Sequence, residues 1–137
     1  MASKNAQIEK VFNYHLNLWA VTNSIDVAWD GKGYDPVTPG KYVSQVLIPT
    51  SPQTVTIGLD VPQRRTGVYQ IDVYASTENA KYDADKLVES LESVFKVGHS
   101  LTYSSVAVQV ENFYADPHGT DEGWYRVSLS VFYRTDI

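Results

Sequence analysis

Apolar residues recur along this chain at two different periods, and the switches between them divide it into elements. Ile8, Val11, Phe12, His15, Leu16 and Trp19 fall at i, i+3, i+4, i+7, i+8 and i+11, the one-sided stripe of an amphipathic helix. Ser3 or Asn5 can cap its start by accepting from unpaired first-turn N–H groups, and Thr22-Asn23-Ser24 ends it. A short strand follows around Asp26 to Trp29, then a loop from Asp30 to Gly40 punctuated by Gly and Pro. Tyr42 to Ile48 reads as a strand that Pro49 and Pro52 stop. Gln53 to Gln63 reads two ways. Val55, Ile57 and Leu59 alternate as in a strand, but Gly58 and Pro62 weaken it, giving a loose edge strand or an extended arm.

The second half is more regular. Tyr69, Ile71, Val73 and Ala75 alternate with Gln70, Asp72 and Tyr74, the period of a half-buried strand. A second helix is predicted from Asn79 to Val97, with Ala80, Ala84, Leu87, Val88, Leu91, Val94 and Phe95 on one face. Ser76 or Thr77 can cap it, Glu78 suits the positive end of its dipole, and Gly98 fits the position just past its end. Leu101-Thr102-Tyr103 turns at Ser104-Ser105 into Val106, Val108 and Val110, a hairpin. Asn112 to Gly123, with Asp116-Pro117-His118-Gly119 inside it, is expected to be a polar loop. The last strand is the longest, Tyr125, Val127, Leu129, Val131 and Tyr133 alternating with Arg126, Ser128, Ser130 and Arg134.

Two helix stripes need one apolar sheet face to cover them. The expected fold is therefore α+β, a mostly antiparallel sheet with both helices packed on one face. Its 137 residues suit a single domain over 1–137, with a variable arm at about 50–63. The hydrophobic fraction of 43% against 20% charged argues for a folded core rather than disorder. Apolar runs are too short to span a membrane, which takes roughly 20 residues, and the N-terminus lacks the pattern of a secretory signal. There is no cysteine, which suits both a reducing cytosol and a particle that must later survive outside the cell.

Charge is unevenly placed within the net −5. Residues 1–68 carry six Lys/Arg against five Asp/Glu, and residues 69–137 carry five against eleven. No basic stripe marks a nucleic-acid face. Arg64-Arg65 is the one adjacent basic pair, and it reads as a solvated turn.

The chemistry-bearing patterns are missing. Cysteine nucleophiles are excluded, no G-x-S-x-G elbow occurs, and Gly31-Lys32-Gly33 lacks phosphate-loop spacing. His15 lies on a helix stripe and suits the edge of the core, while His99 follows Gly98 near a negative dipole end. His118 with Asp116, Asp121 and Glu122 lacks the acidic spacing of a calcium loop. Asp83/Asp85 and Glu89/Glu92 fall on a polar helix face, where nothing separates their pKa values. No catalytic residue, metal or cofactor is expected. Ten Tyr and three Trp remain, several at loop–strand junctions: Trp29, Tyr34, Tyr42, Tyr114 and Trp124. Such residues suit interfaces and suit an aromatic core, and both readings stay open.

The order of these pieces resembles the tail-terminator-like proteins of long-tailed phages, related to the lambda tail terminator. The resemblance covers nearly the whole chain. It rests on a first helix of this length, on Ala28-Trp29-Asp30 and Tyr34-x-Pro36, and on Tyr42-Val-Ser-Gln-Val-Leu-Ile-Pro49 leading into the arm. It continues in Arg65-Thr-Gly-Val-Tyr-Gln-Ile-Asp-Val-Tyr74 and closes in Gly123-Trp-Tyr-Arg-Val-Ser-Leu-Ser-Val-Phe-Tyr133. The arm from Thr50 to Gln63 does not align residue by residue. The resemblance implies a non-enzymatic virion protein that forms a ring, usually a hexamer, on the head-proximal end of the tail tube. That ring stops tube polymerisation and offers a surface to the head–tail connector or stopper. Its partners would be itself, the major tail tube protein and the connector, with genomic DNA passing through the lumen unbound. It would assemble in the host cytoplasm, without a membrane. Loops 31–40, 50–63 and 112–122 would carry the contacts, and Tyr34, Arg64, Arg65 and Trp124 are candidate interface residues. Another head–tail joining protein, or a small-ligand-binding module, is the alternative.

Overall fold

A computed structural model describes residues 3–50, 53–54 and 63–137. The chain runs α1 (Lys4–Asn23), β1 (Asp26–Ala28), β2 (Lys41–Pro49), β3 (Gln53–Thr54), β4 (Gln63–Ala75), α2 (Ala80–Val94), β5 (Ser100–Tyr103), β6 (Val106–Asp121) and β7 (Trp124–Asp136). Six strands lie in the order β1-β2-β4-β7-β6-β5, and β3 pairs with β4. Among the described residues only β1 and β2 run parallel; the rest is antiparallel. The sheet is curled, and the molecule is one α+β domain with both helices on the same side.

Local chemistry explains the helix ends. Ser3 Oγ accepts from the Ala6 N–H at 3.1 Å, and Ser24 closes α1 in the left-handed region at φ 56. The stripe read from the sequence is the buried one: Ile8, Val11, Phe12, Leu16 and Trp19 all enter the core. His15 sits at its edge, half-buried, with Nε2 3.1 Å from the Thr102 carbonyl.

The core is centred on four rings. Phe12 stacks on Tyr69 at 4.5 Å, meets Tyr133 edge-on at 5.4 Å, and tilts against Phe95 at 6.0 Å. One element each of α1, β4 and β7, with the end of α2, is thereby fixed to the others. Two polar tips are satisfied from within: Tyr69 donates to Asn13 Oδ1 at 2.6 Å, and Trp19 Nε1 donates to Ser90 Oγ at 2.7 Å, joining α1 to α2. Gly67 lets β2 and the Tyr133 ring close over β4. A Cβ there would lie 2.6 Å from the Ile48 carbonyl oxygen and 2.7 Å from the Tyr133 hydroxyl.

Several expectations are corrected. Asn112 to Gly123 is not a loop: β6 continues to Asp121 and turns tightly through Glu122 and Gly123, both at positive φ. Register shifts at Val110/Asn112 and Pro117/Gly119 each insert one residue, so Val110 and Phe113 both face the core side despite their odd spacing. Pro117 is tolerated because β5 covers only Val106–Gln109 of β6, leaving the rest as an edge. Arg64-Arg65 is not a turn but lies within β4, opposite Asp136 and Thr135. The second helix ends at Val94, with Phe95 as its C-cap, so Gly98 is not the residue just past its end. Gly98 instead donates its N–H to Val110 and starts the return to the sheet. Asn79 occupies the N-cap of α2 without a side-chain bond, while Thr77 donates to the Asp83 carboxylate. Of the ambiguous Gln53–Gln63 segment, Gln53, Thr54 and Gln63 are strand, and Val55, Ile57, Gly58, Leu59 and Pro62 lie outside the described residues.

Two substitutions test the core. Phe12→Ala is expected to cost about 3–5 kcal/mol by denaturant unfolding, through lost burial and the cavity left behind. A loss below about 1 kcal/mol would show that the ring cluster is not central. Gly67→Ala is expected to cost about 1–3 kcal/mol, because its methyl meets backbone on one side and a packed ring on the other. Unchanged stability would mean that β2 and β4 separate freely there.

Candidate interaction surfaces

Strand parity gives the sheet two unlike faces. Val43, Tyr69, Ile71, Val73, Val127, Leu129, Val131 and Tyr133 point to the helices and are buried. The alternate residues form the other face, which no helix covers among the described residues. Its cross-strand rows follow from the register. Ile48, Val68, Phe132 and Asn112 make one row; Val46, Gln70, Ser130 and Tyr114 make the next; Ser44, Asp72, Ser128 and Asp116 make the third. The first row is largely apolar and accessible, with Ile48 47% and Phe132 40% exposed. The third is acidic and ordered: Asp72 Oδ1 accepts from Ser128 Oγ at 2.6 Å and from Gln70 Nε2 at 3.2 Å.

At the far end of this face lies an aromatic cluster. Tyr42 and Tyr74, directly opposed on β2 and β4, stack at 4.6 Å, Trp124 meets Tyr42 edge-on at 5.2 Å, and Tyr34 lies 5.0 Å away. Tyr34 also donates to Asp26 Oδ2 at 3.1 Å. Burial and then that hydrogen bond push the Tyr34 phenol up to about 12. The Asp30–Gly40 loop is thus tied to the sheet by a ring.

Of the four candidate interface residues, Tyr34 and Trp124 are brought together through Tyr42. Arg64 and Arg65 stand apart from them, at the start of β4, ten residues or roughly 33 Å of strand from Tyr74. Arg64 forks onto the Asp136 carboxylate at 3.1 and 3.3 Å, which holds that acid below its ordinary range. Arg65 lies near the Tyr133 hydroxyl, whose pKa burial raises to about 12 against the opposing charge of Arg65.

The helix side carries surfaces the stripe analysis missed. Tyr14, Leu18 and Val21 fall at i, i+4 and i+7 on the outward face of α1 and are 42%, 49% and 72% exposed. The signal was present as a second apolar stripe flanking the first. Tyr14 stacks on Tyr103 of the β5–β6 hairpin at 4.6 Å. Beside it runs a groove of about 650 Å³ lined by Lys10, Asn13, Trp29, Asp30, Gln45 and Tyr103, among others. Gln45 is buried and donates through Nε2 to Asn13 Oδ1 at 2.9 Å and to Glu9 Oε2 at 3.4 Å. Burial, and then the nearby Asp30 charge, raise the Glu9 carboxyl above its ordinary value. Among the described residues no group of three or more His, Cys, Asp or Glu is placed to hold a metal, and no helix is long and apolar enough to cross a membrane.

This arrangement, two helices on one side of a curled sheet and an open face on the other, recurs in solved structures. One solved chain superimposes with a TM-score of 0.78 at 20% identity, over 99% of this chain and 98% of its own. A chain of the virion of a native gene transfer agent particle superimposes at 0.58 and 17% identity, over 93% of this chain and 92% of its own. No curated protein sequence matches. The class is that of phage tail structural proteins. The model of the phage tail terminator protein family matches residues 7–133, and the chain belongs to that family.

Glu9 sets a pH dependence. Its folded-state pKa lies above the unfolded one, so its ionisation opposes folding, and stability falls as pH rises through the folded pKa. Glu9→Gln is expected to raise the urea midpoint at pH 7 to 8 and to match the parent at or below about pH 3, where Glu9 is protonated in both states. A variant less stable than the parent at pH 8 would reverse the sign and sink this account.

Proposed function

We propose that this protein is the tail terminator itself: a ring, hexameric when assembled, seated on the head-proximal end of the tail tube. The family match over residues 7–133 is the observation that carries the reading. The ring stops tube polymerisation and offers its opposite axial surface to the head–tail connector or stopper. Two different axial faces and a closing contact between neighbours require a heterologous interface. The uncovered sheet face and the outward stripe of α1 supply two unlike surfaces on one chain. The Asp30–Gly40 loop, anchored by Tyr34 on Tyr42, is suited to an axial contact, and Trp124 lies in the same cluster. Arg64 and Arg65, at the other end of β4, suit the opposite axial surface. Genomic DNA crosses the lumen without specific binding, consistent with the net charge of −5. The protein acts by assembly rather than catalysis, in the host cytoplasm and then in the virion. The arm at about 50–63 is the variable element of the domain.

Adding the purified protein to polymerising tail tube protein tests the reading. Tubes are expected to stop growing and to carry a ring at one end by electron microscopy. Tubes of unchanged length with bare ends would exclude a terminator and favour another head–tail joining role.

A further inference from the structure

Among the described residues, two exposed apolar surfaces lie on opposite sides of the molecule. One is the outward stripe of α1, Tyr14, Leu18 and Val21, with exposed Lys10 one turn before Tyr14 on the same face. The other is the open sheet face, apolar at Ile48, Val68 and Phe132 and acidic at Asp72 and Asp116. Exposed apolar patches of this kind mark contact surfaces rather than solvent-facing ones.

Their spacings agree. From Lys10 to Leu18 is eight residues of helix, about 12 Å. From the Asp72 row to the Val68 row is four residues of strand, about 13 Å. A helix laid along β4 and β7 can therefore set Leu18 on Val68 and Phe132 while Lys10 reaches Asp72 and Asp116. The charge order agrees with the apolar order: the basic end of the stripe meets the one acidic row, that of Asp72 and Asp116.

We propose that the occupant of the open sheet face is α1 of a second copy of this chain. The contact is head to tail, helix stripe of one copy on the sheet face of the next. Each copy then uses both surfaces, and a closed ring leaves neither exposed. The proposal rests on the ring reading above and names the contact that closes it.

The absence of cysteine makes the test direct. Leu18→Cys and Phe132→Cys in one full-length chain lie on opposite sides of the domain. A bridge within one molecule is thereby excluded, since disulfide Cα atoms must lie within about 7 Å. Oxidation of this variant assembled on tail tubes is expected to give a ladder of covalent oligomers beyond the dimer, with neither single-cysteine variant doing so. Lys10→Glu is expected to reduce the fraction of tubes carrying a ring, and Lys10→Glu combined with Asp116→Lys to recover it. Leu18→Asp, checked for unchanged circular dichroism and melting, is expected to lose rings on tubes. Rings that form normally with Leu18→Asp and give no ladder would overturn this contact and leave the terminator reading standing. A ladder that stops at the dimer would also overturn it, in favour of a two-fold contact. If the parent protein puts no ring on tubes, the terminator reading fails and this contact fails with it.

Discussion

The pairing of β4 with β7, continuous from Arg64↔Asp136 to Ala75↔Tyr125, decides which way the middle of the sheet faces. Side chains alternate across a strand, so one parity choice sends Tyr69, Ile71 and Val73 inward together with Val127, Leu129 and Val131. Sliding this pair by one residue would turn Asp72 and Ser130 beneath the helices and expose both tyrosines of the core. Phe12 holds the parity in place, because it touches Tyr69 and Tyr133 from above and neither ring reaches it from the other side. Gly67 acts from the opposite direction by admitting β2 close enough to continue the same parity through Val43.

The open face is a consequence of that choice rather than a separate design. Once the helix-side residues are fixed, Gln70, Asp72, Ser128 and Ser130 must lie together, and their hydrogen bonds make the middle of the face polar and rigid. Apolar residues on the same parity at Ile48, Val68 and Phe132 have no such explanation from folding alone. They contribute nothing to the core, and their exposure costs solubility. The same holds for Leu18 and Val21, which flank the core stripe of α1 and stay exposed. Folding accounts for one face of α1 and one face of the sheet, and the proposed contact between copies would account for the others.

How much of this was legible in the sequence depended on whether a signal was local. The buried stripe of α1 and the alternation of β7 were readable because period and burial coincide there. The outer half of β6 was not. Pro117 and Gly119 are strong loop signals, but on an edge strand a missing N–H is harmless, and at a bulge a glycine at positive φ is useful. Arg64 and Arg65 looked like a turn because nothing local predicts that β7 runs alongside them to Asp136. Tyr34 and Trp124 were found by type and position. Their meeting through Tyr42 depends on three-dimensional register that no spacing rule supplies. Phe132 was visible as a phenylalanine at a polar-phase position of a regular strand, and Leu18 and Val21 as apolar residues off the stripe.

The aromatic content therefore divides by parity, and the division is physical. Tyr69 and Tyr133 fall on the helix side, where burial raises the pKa of both phenols. Tyr42 and Tyr74 fall on the open side, where stacking against each other and Trp124 shields them only partly. Rings of the first kind hold the elements of one molecule together. Rings of the second kind hold a loop and a sheet end rigid while remaining accessible, which lowers the entropy lost when another surface docks there. In the proposed ring, a surface stiffened before binding suits a contact repeated around a closed circle. Small angular errors at each interface would otherwise accumulate around the circle and leave it open.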